Sequence, residues 1–418
     1  MVNICFYFQV HQPHRLRQYS VFDIGKSDTY FDEQKNKEIM RKVGRKCYLP
    51  TNKLMLELLQ QHPAFKISYS ISGVALEQMK EYMPEVLESF KALAATGQVE
   101  FLAETYYHSL SFLYDKKEFQ QQIAQHVSLV RELFGQTPTV FRNTELIYNN
   151  ALAYDVEQLG FSAILAEGWD PVLGWRSPNF VYKSKATKNM KLLLKNYKLS
   201  DDVAFRFSNK GWEEWPLSIE KYTQWINSVN GNGDTINLFM DYETFGEHQW
   251  EDTGIFDFLQ ALPREVLKHP DNTFKTVSET ANDFETRDEV DIHDYVSWAD
   301  LERDLSAWNG NSIQQSALDE LYKLGKAVKE TEDKHLIQQW RKLTTSDHFY
   351  YMCTKWFSDG DVHKYFNPYD SPYEGYIAFM NVLHDLALRT KILLGKKGKQ
   401  FDKHSLHVTS KPSSKVLS

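Results

Sequence analysis

A parallel α/β fold closed into a barrel, followed by a helical region, is what this sequence predicts, and three observations carry that expectation. Short apolar runs recur as far as Asn309 and are separated by helical patterns. After Asn309-Gly310-Asn311 the strand signal stops and helical periodicity takes over. At 418 residues the chain exceeds a single barrel of about 250 residues, which leaves room for an appended region. Strands alternating with helices imply parallel pairing through right-handed crossovers.

The strand-like runs are residues 4–10, 65–71, 99–103, 139–141, 162–166 and 235–241. Leu54, Met55, Leu58 and Leu59 form two i,i+4 pairs, and Phe119, Ile123, Val127, Val130 and Phe134 repeat every three or four positions, so both segments read as amphipathic helices. Gly97 stands where a left-handed C-cap would close a helix beginning near Val74. Between Gly168 and Trp215 the pattern is broken by Pro171, Gly174, Pro178 and Gly211, with short β-like runs such as 179–182, and the segment reads as an excursion over the barrel mouth. Ala317, Leu321, Leu324 and Val328 open a helical pattern that lasts to Leu394. The expected layout is a catalytic barrel over 1–308 with an inserted excursion over 168–215, a helical domain over 309–394, and a disordered Lys/Ser-rich tail over 395–418.

Apolar residues make up 42% of the chain and charged residues 25%, a composition that supports a packed core and excludes a largely disordered protein. The net charge is −8 with no basic cluster before the extreme C-terminus, which argues against nucleic acid or an anionic membrane as partner. Aromatics reach 14%, and several tryptophans sit in polar surroundings, where they serve either the core or the apolar face of a sugar. Three cysteines, Cys5, Cys47 and Cys353, match neither a disulfide framework nor a zinc clip and point to a reducing compartment. No secretory leader and no apolar run of about 20 residues is present, so a cytoplasmic location is expected.

Two acids follow apolar runs: Glu145 in Phe141-Arg142-Asn143-Thr144-Glu145-Leu146 and Asp241 in Met240-Asp241-Tyr242-Glu243-Thr244-Phe245-Gly246. A strand that empties into a loop carrying an acid is how barrel and open-sheet enzymes present catalytic groups. Together with Val10-His11-Gln12-Pro13, Gly97-Gln98-Val99-Glu100-Phe101 and Ser297-Trp298-Ala299-Asp300, these segments resemble, in order, the five sequence regions of glycoside hydrolase family 57. The last region, with Trp308 following, is similar to the α-amylase branch. The resemblance implies an incomplete, seven-stranded TIM-like (β/α) barrel with a C-terminal helical bundle. It also implies retaining cleavage or transfer of α-glucosidic bonds in α-1,4-glucans such as starch, glycogen and maltooligosaccharides, with Glu145 as nucleophile and Asp241 as general acid/base. No metal or cofactor is implied. A retaining pair stands about 5–5.5 Å apart across the scissile bond, and mutual repulsion with partial burial pushes the two pKa values apart.

The resemblance further implies sugar contacts from His11 and Glu100. Gln9 stands where the family commonly has a first histidine, and its amide still hydrogen-bonds hydroxyls. Arg142 could hold Glu145 ionised or serve the substrate site, Glu243 is a third acid or a turn cap, and Trp298, Asp300 and Trp308 form an aromatic and carboxylate wall. A glucanotransferase or branching enzyme shares the same two carboxylates and stays open as the alternative. A metal-dependent deacetylase would need His-x-x-x-His, which none of the 14 histidines forms. A non-catalytic glycogen-binding protein is the remaining reading. Oligomeric state is not legible.

Overall fold

The computed structural model describes residues 2–355 and 367–396. The expected tail lies outside the described residues from 397 onward, and residues 395 and 396 end the helix Pro372–Lys396.

Ten strands occur among the described residues: β1 (Val2–Val10), β2 (Ile67–Ile71), β3 (Val99–Phe101), β4 (Val140–Phe141), β5 (Ala163–Glu167), β6 (Val181–Ser184), β7 (Lys191–Lys195), β8 (Thr235–Asp241), β9 (Asn272–Phe274) and β10 (Glu289–Val290). One ladder runs β3-β2-β1-β8 and a second β10-β6-β7-β5-β4. They join where Ala103 N–H donates to Val140 O (3.0 Å) and Arg142 N–H to Ala103 O (2.8 Å). At the opposite seam β7 and β8 form no ladder; Asn196 N–H donates to Asn237 O and the Asn237 amide to Leu194 O, each at 2.8 Å. The ring β1-β2-β3-β4-β5-β7-β8 is therefore a seven-stranded α/β barrel with one imperfect seam. β6 runs antiparallel along β7 on that side, with β10 beside it.

β1 is buried at all nine positions, as a parallel strand covered on both faces must be. The two-residue period divides its side chains: Cys5 and Tyr7 pack inside the barrel with Phe239, Leu165 and Leu193, while Ile4, Phe6, Phe8 and Val10 meet the surrounding helices. The same period turns Gln9, Asp241, Glu167 and Lys195 inward at the carboxyl ends of their strands.

The excursion expected over 168–215 needs correction, because it contains a barrel strand. β7 offers only Leu192, Leu193 and Leu194 between two lysines, too short an apolar run to read as buried strand. Lys195 is buried nevertheless, because Asp201 (2.8 Å) and Glu167 (3.7 Å) neutralise it. The single helix expected from Val74 to Gly97 is two, Gly73–Tyr82 and Pro84–Ala94, since Pro84 cannot continue the first. The amphipathic segment around Phe119 is the helix Lys116–Phe134, capped by Asp115 accepting from Lys117 and Glu118 N–H and ended by Gly135 at φ +70°.

After Trp308 come the helices Ser312–Glu330, Lys334–Leu343, Ser346–Tyr350 and Pro372–Lys396. Leu318, Leu321, Trp340, Phe349 and Leu383 share one apolar cluster with Tyr30, Phe141, Ile164 and Tyr182. The expected boundary at 308/309 thus crosses a continuous core, and the helical region is packed onto the barrel rather than appended to it. None of the described helices is long and apolar enough to cross a membrane.

Candidate active site

A cavity of about 460 Å³ opens at the carboxyl ends of the barrel strands and is lined by both Glu145 and Asp241. Asp241 ends β8, in register with Gln9 of β1. Glu145 lies beyond β4 in a tight turn at φ +57°, followed by Leu146 at φ +54°. Of the six non-glycine residues at positive φ among the described residues, His108, Glu145, Asp300 and Arg303 all line this cavity. Such backbone costs about 1–3 kcal/mol per residue and concentrates at functional sites.

Three groups contact the Glu145 carboxylate, with a buried cation behind them. Trp298 Nε1–H donates to Oε2 (3.0 Å), Ser346 Oγ donates to Oε1 (3.1 Å), and His108 Nε2 lies 3.4 Å from Oε1. Arg142 is fully buried, its guanidinium 4.7 Å from the centre of the Trp298 ring, and its three nitrogens have no hydrogen-bond partner among the described residues. Burial pushes Glu145 up, but the His108 hydrogen bond and charge, with Arg142 behind, bring it below its ordinary value. Asp241 moves the other way, to about 6, through burial and then the negative charge on Glu145. The two carboxyls of one cavity are thus shifted in opposite directions.

A buried chain stands behind Glu145. Tyr7 and Ser70 hydroxyls donate to the Gln9 oxygen (2.7 and 2.9 Å), Gln9 Nε2 donates to Glu104 Oε1 (3.0 Å), and Glu104 Oε2 accepts from His108 Nδ1 (2.8 Å). Burial disfavours the His108 imidazolium, yet hydrogen bonds to Glu104 and Glu145 raise it to about 9, and Glu104 correspondingly drops to about 2. The His11 ring stacks on His108 with centroids 4.0 Å apart. His11 is pulled down by burial and by the His108 charge, so it remains neutral, with Nε2–H donating to Asp347 Oδ2 (2.9 Å) and Nδ1 accepting from Ser72 (2.6 Å).

Other predicted site residues are brought to the same cavity. Glu243 lines it, accepts from the Tyr48 hydroxyl, and is raised to about 8 by burial and by Asp241. Asp300 and Trp308 also line it, although Trp308 is only 1% exposed and packs beside Tyr350. Glu100 is not brought there. Its carboxylate accepts from Ser278 N–H (2.9 Å) and the Ser68 hydroxyl (3.4 Å), tying the start of the helix Val277–Asp283 to the barrel. The acid of this region that reaches the cavity network is Glu104, four residues further on, past the end of β3.

The sequence reading missed Glu104, His108, Ser346 and Asp347, along with a network in which Arg303 bonds Glu167 and approaches Asp201 (3.5 Å) beside Lys195. Spacing could not reveal Ser346 or Asp347, which lie some two hundred residues beyond Glu145 and reach Glu145 and His11 respectively only through the packing of the helical region. His108 carried a weak signal, a histidine shortly after the apolar run ending at Ala103.

The sequence model of glycosyl hydrolase family 57 matches residues 5–293. A protein of Methanocaldococcus jannaschii named "Putative alpha-amylase" is 45% identical over 415 residues, covering 96% of this chain and 87% of that protein. Among solved structures, a branching enzyme from Thermococcus kodakaraensis superposes with a TM-score of 0.69 at 14% identity, covering 97% of this chain and 93% of its own. An α-amylase from Thermotoga maritima gives 0.62 at 11% identity, covering 97% and 95%. These distant likenesses place the fold, whereas the family match spans the barrel that carries both acids, and on it the chain belongs to glycosyl hydrolase family 57 and is a glycoside hydrolase.

Proposed function

We propose that the protein is an α-amylase-type hydrolase of α-1,4-glucans that works by retaining double displacement, with Glu145 as nucleophile and Asp241 as acid/base. The observation that carries this reading is that two carboxyls face one cavity in different surroundings, Glu145 accepting from Trp298 and Ser346 and Asp241 buried beside it, which shifts the first down and the second up. In the first step a Glu145 oxygen attacks the anomeric carbon, while protonated Asp241 gives its proton to the leaving glycosidic oxygen. The bond to the leaving sugar breaks and a glycosyl ester forms on Glu145. Asp241, now ionised, takes a proton from water, whose oxygen attacks the same carbon and releases Glu145. The second inversion restores the α configuration.

Substrate contact falls to His11, Glu243, Asp300 and the Trp298 ring on the cavity wall. Arg142 and Gln9 act from behind, Arg142 on the Trp298 ring and Gln9 on Glu104. We place the enzyme in the cytoplasm, where the buried free thiols of Cys5, Cys47 and Cys353 would stay reduced.

Incubation with maltoheptaose, followed by proton NMR of the first anomer released and by chain-length analysis, tests the reading. Shorter α-anomeric products are expected. Initial β-anomer or absence of cleavage would refute it, and products longer than the substrate would assign the second step to a sugar hydroxyl in place of water. Glu145→Gln should abolish turnover while glucan binding changes only a few fold.

A further inference from the structure

A second concavity of about 790 Å³ lies behind the segment that carries Asp241. Asp241, Thr244 and His248 face the catalytic cavity, whereas Gly246, Trp250 and Asp252 face this groove, so one short stretch of chain lines both. Gly246 makes the close approach possible: at φ +105°, a Cβ there would meet the Lys46 carbonyl at 2.1 Å. Trp250 stays 52% exposed although Lys46 sits 4.5 Å from the centre of its ring, and Leu54 and Phe256 are the half-buried apolar residues beside it.

The groove is charged but balanced. Arg45, Lys46 and Lys53 face Glu57, Glu251, Asp252 and Asp257, and Gln260 adds an amide. Such a rim gives neither the basic field that gathers phosphates nor the acidic field that gathers cations. It does supply donors and acceptors around a half-exposed indole, a combination suited to a neutral polyhydroxylated chain whose C–H faces lie on the ring.

We propose that this groove is a non-catalytic binding site for an α-glucan chain, with Trp250 as its platform, holding a polymer whose other segment enters the catalytic cavity. The inference rests on the glucan reading above. A ligand spanning both sites gains effective concentration, so the groove should matter for polymers and not for short oligosaccharides.

The test separates the two ideas. Binding to glycogen is measured by retardation in glycogen-containing native gels on Glu145→Gln protein, with and without Trp250→Ala, and maltotriose and glycogen hydrolysis are measured on the active forms. Trp250→Ala should weaken glycogen retardation about fivefold, the loss of roughly one stacking contact. It should raise the KM for glycogen and leave maltotriose kinetics unchanged. Trp250→Phe, which keeps a ring, should restore most of the retardation and guards against misfolding. Equal retardation of the Trp250→Ala protein, or equal loss on maltotriose and glycogen, overturns the groove proposal. Failure of the wild-type protein to cleave any glucan overturns the catalytic reading instead, and the retardation measurement still decides the groove.

Discussion

Replacing His108 with glutamine isolates the device that sets the charge on Glu145. The imidazole lies 3.4 Å from Glu145 Oε1, and an ion pair at that distance is worth about 5 kcal/mol at an effective dielectric constant of about 20. Burial opposes this attraction, and the net effect on Glu145 is a displacement below its ordinary value. Without the imidazolium, burial is opposed chiefly by Arg142, and the carboxyl rises. In the wild type, kcat/KM should increase with pH as Glu145 ionises below pH 4.5 and decrease above about pH 6 as Asp241 loses its proton. In His108→Gln the acidic limb should move up by at least about one pH unit, equivalent to about 1.4 kcal/mol. The basic limb should move less, since His108 is a minor neighbour of Asp241. The assay is the pH dependence of maltoheptaose hydrolysis, with thermal unfolding as a control for folding. A lowered rate with both limbs unmoved would refute the electrostatic role and leave His108 as a positioning group for Glu145 alone.

Trp298→Phe keeps an aromatic wall but deletes the N–H donated to Glu145 Oε2 at 3.0 Å, a charge-assisted bond worth about 1.5–3 kcal/mol. The kcat should fall about 10- to 100-fold with a smaller change in KM; a pure KM effect would make Trp298 a platform only. Glu104, depressed to about 2, stabilises the fold fully above its unfolded pKa of about 4.5, and this contribution is lost as pH falls from 4.5 through 2. The full window corresponds to about 3 kcal/mol, shared with His108, so urea midpoints of Glu104→Gln should decline less steeply between pH 5 and 3 than those of the wild type. Gly73→Ala would drive a Cβ to 2.5 Å from the Tyr106 ring and should destabilise by about 1–3 kcal/mol. An unchanged Tm would show that the ring yields freely, and Tyr106→Ala in the same chain should relieve part of any loss.

Elements with a strong period were legible. β1, β2 and β8 and the helix Lys116–Phe134 follow directly from runs and spacings, because burial on both faces of a strand or along one stripe of a helix demands those patterns. β7 was not, since its outer lysines disguise a barrel strand, and Lys195 is tolerated inside only because Glu167 and Asp201 face it from other elements. Glu100 illustrates the converse. It belongs to a recognisable motif, but on β3 it lies short of the carboxyl end, where Ser68 and the helix start at Val277 claim its oxygens.

By itself the sequence determined the class of fold, the two carboxyls as candidates and the strand ends that carry them, because a two-residue period and a strand terminus are local facts. Tertiary structure decided how the candidates are charged. Burial, His108 and Ser346 meet at Glu145, with His11 stacked on His108 and held by Asp347 of the helical region, only when the chain has folded. A carboxyl's pKa depends on the groups within a few ångströms of it in space, and no spacing along the chain encodes them.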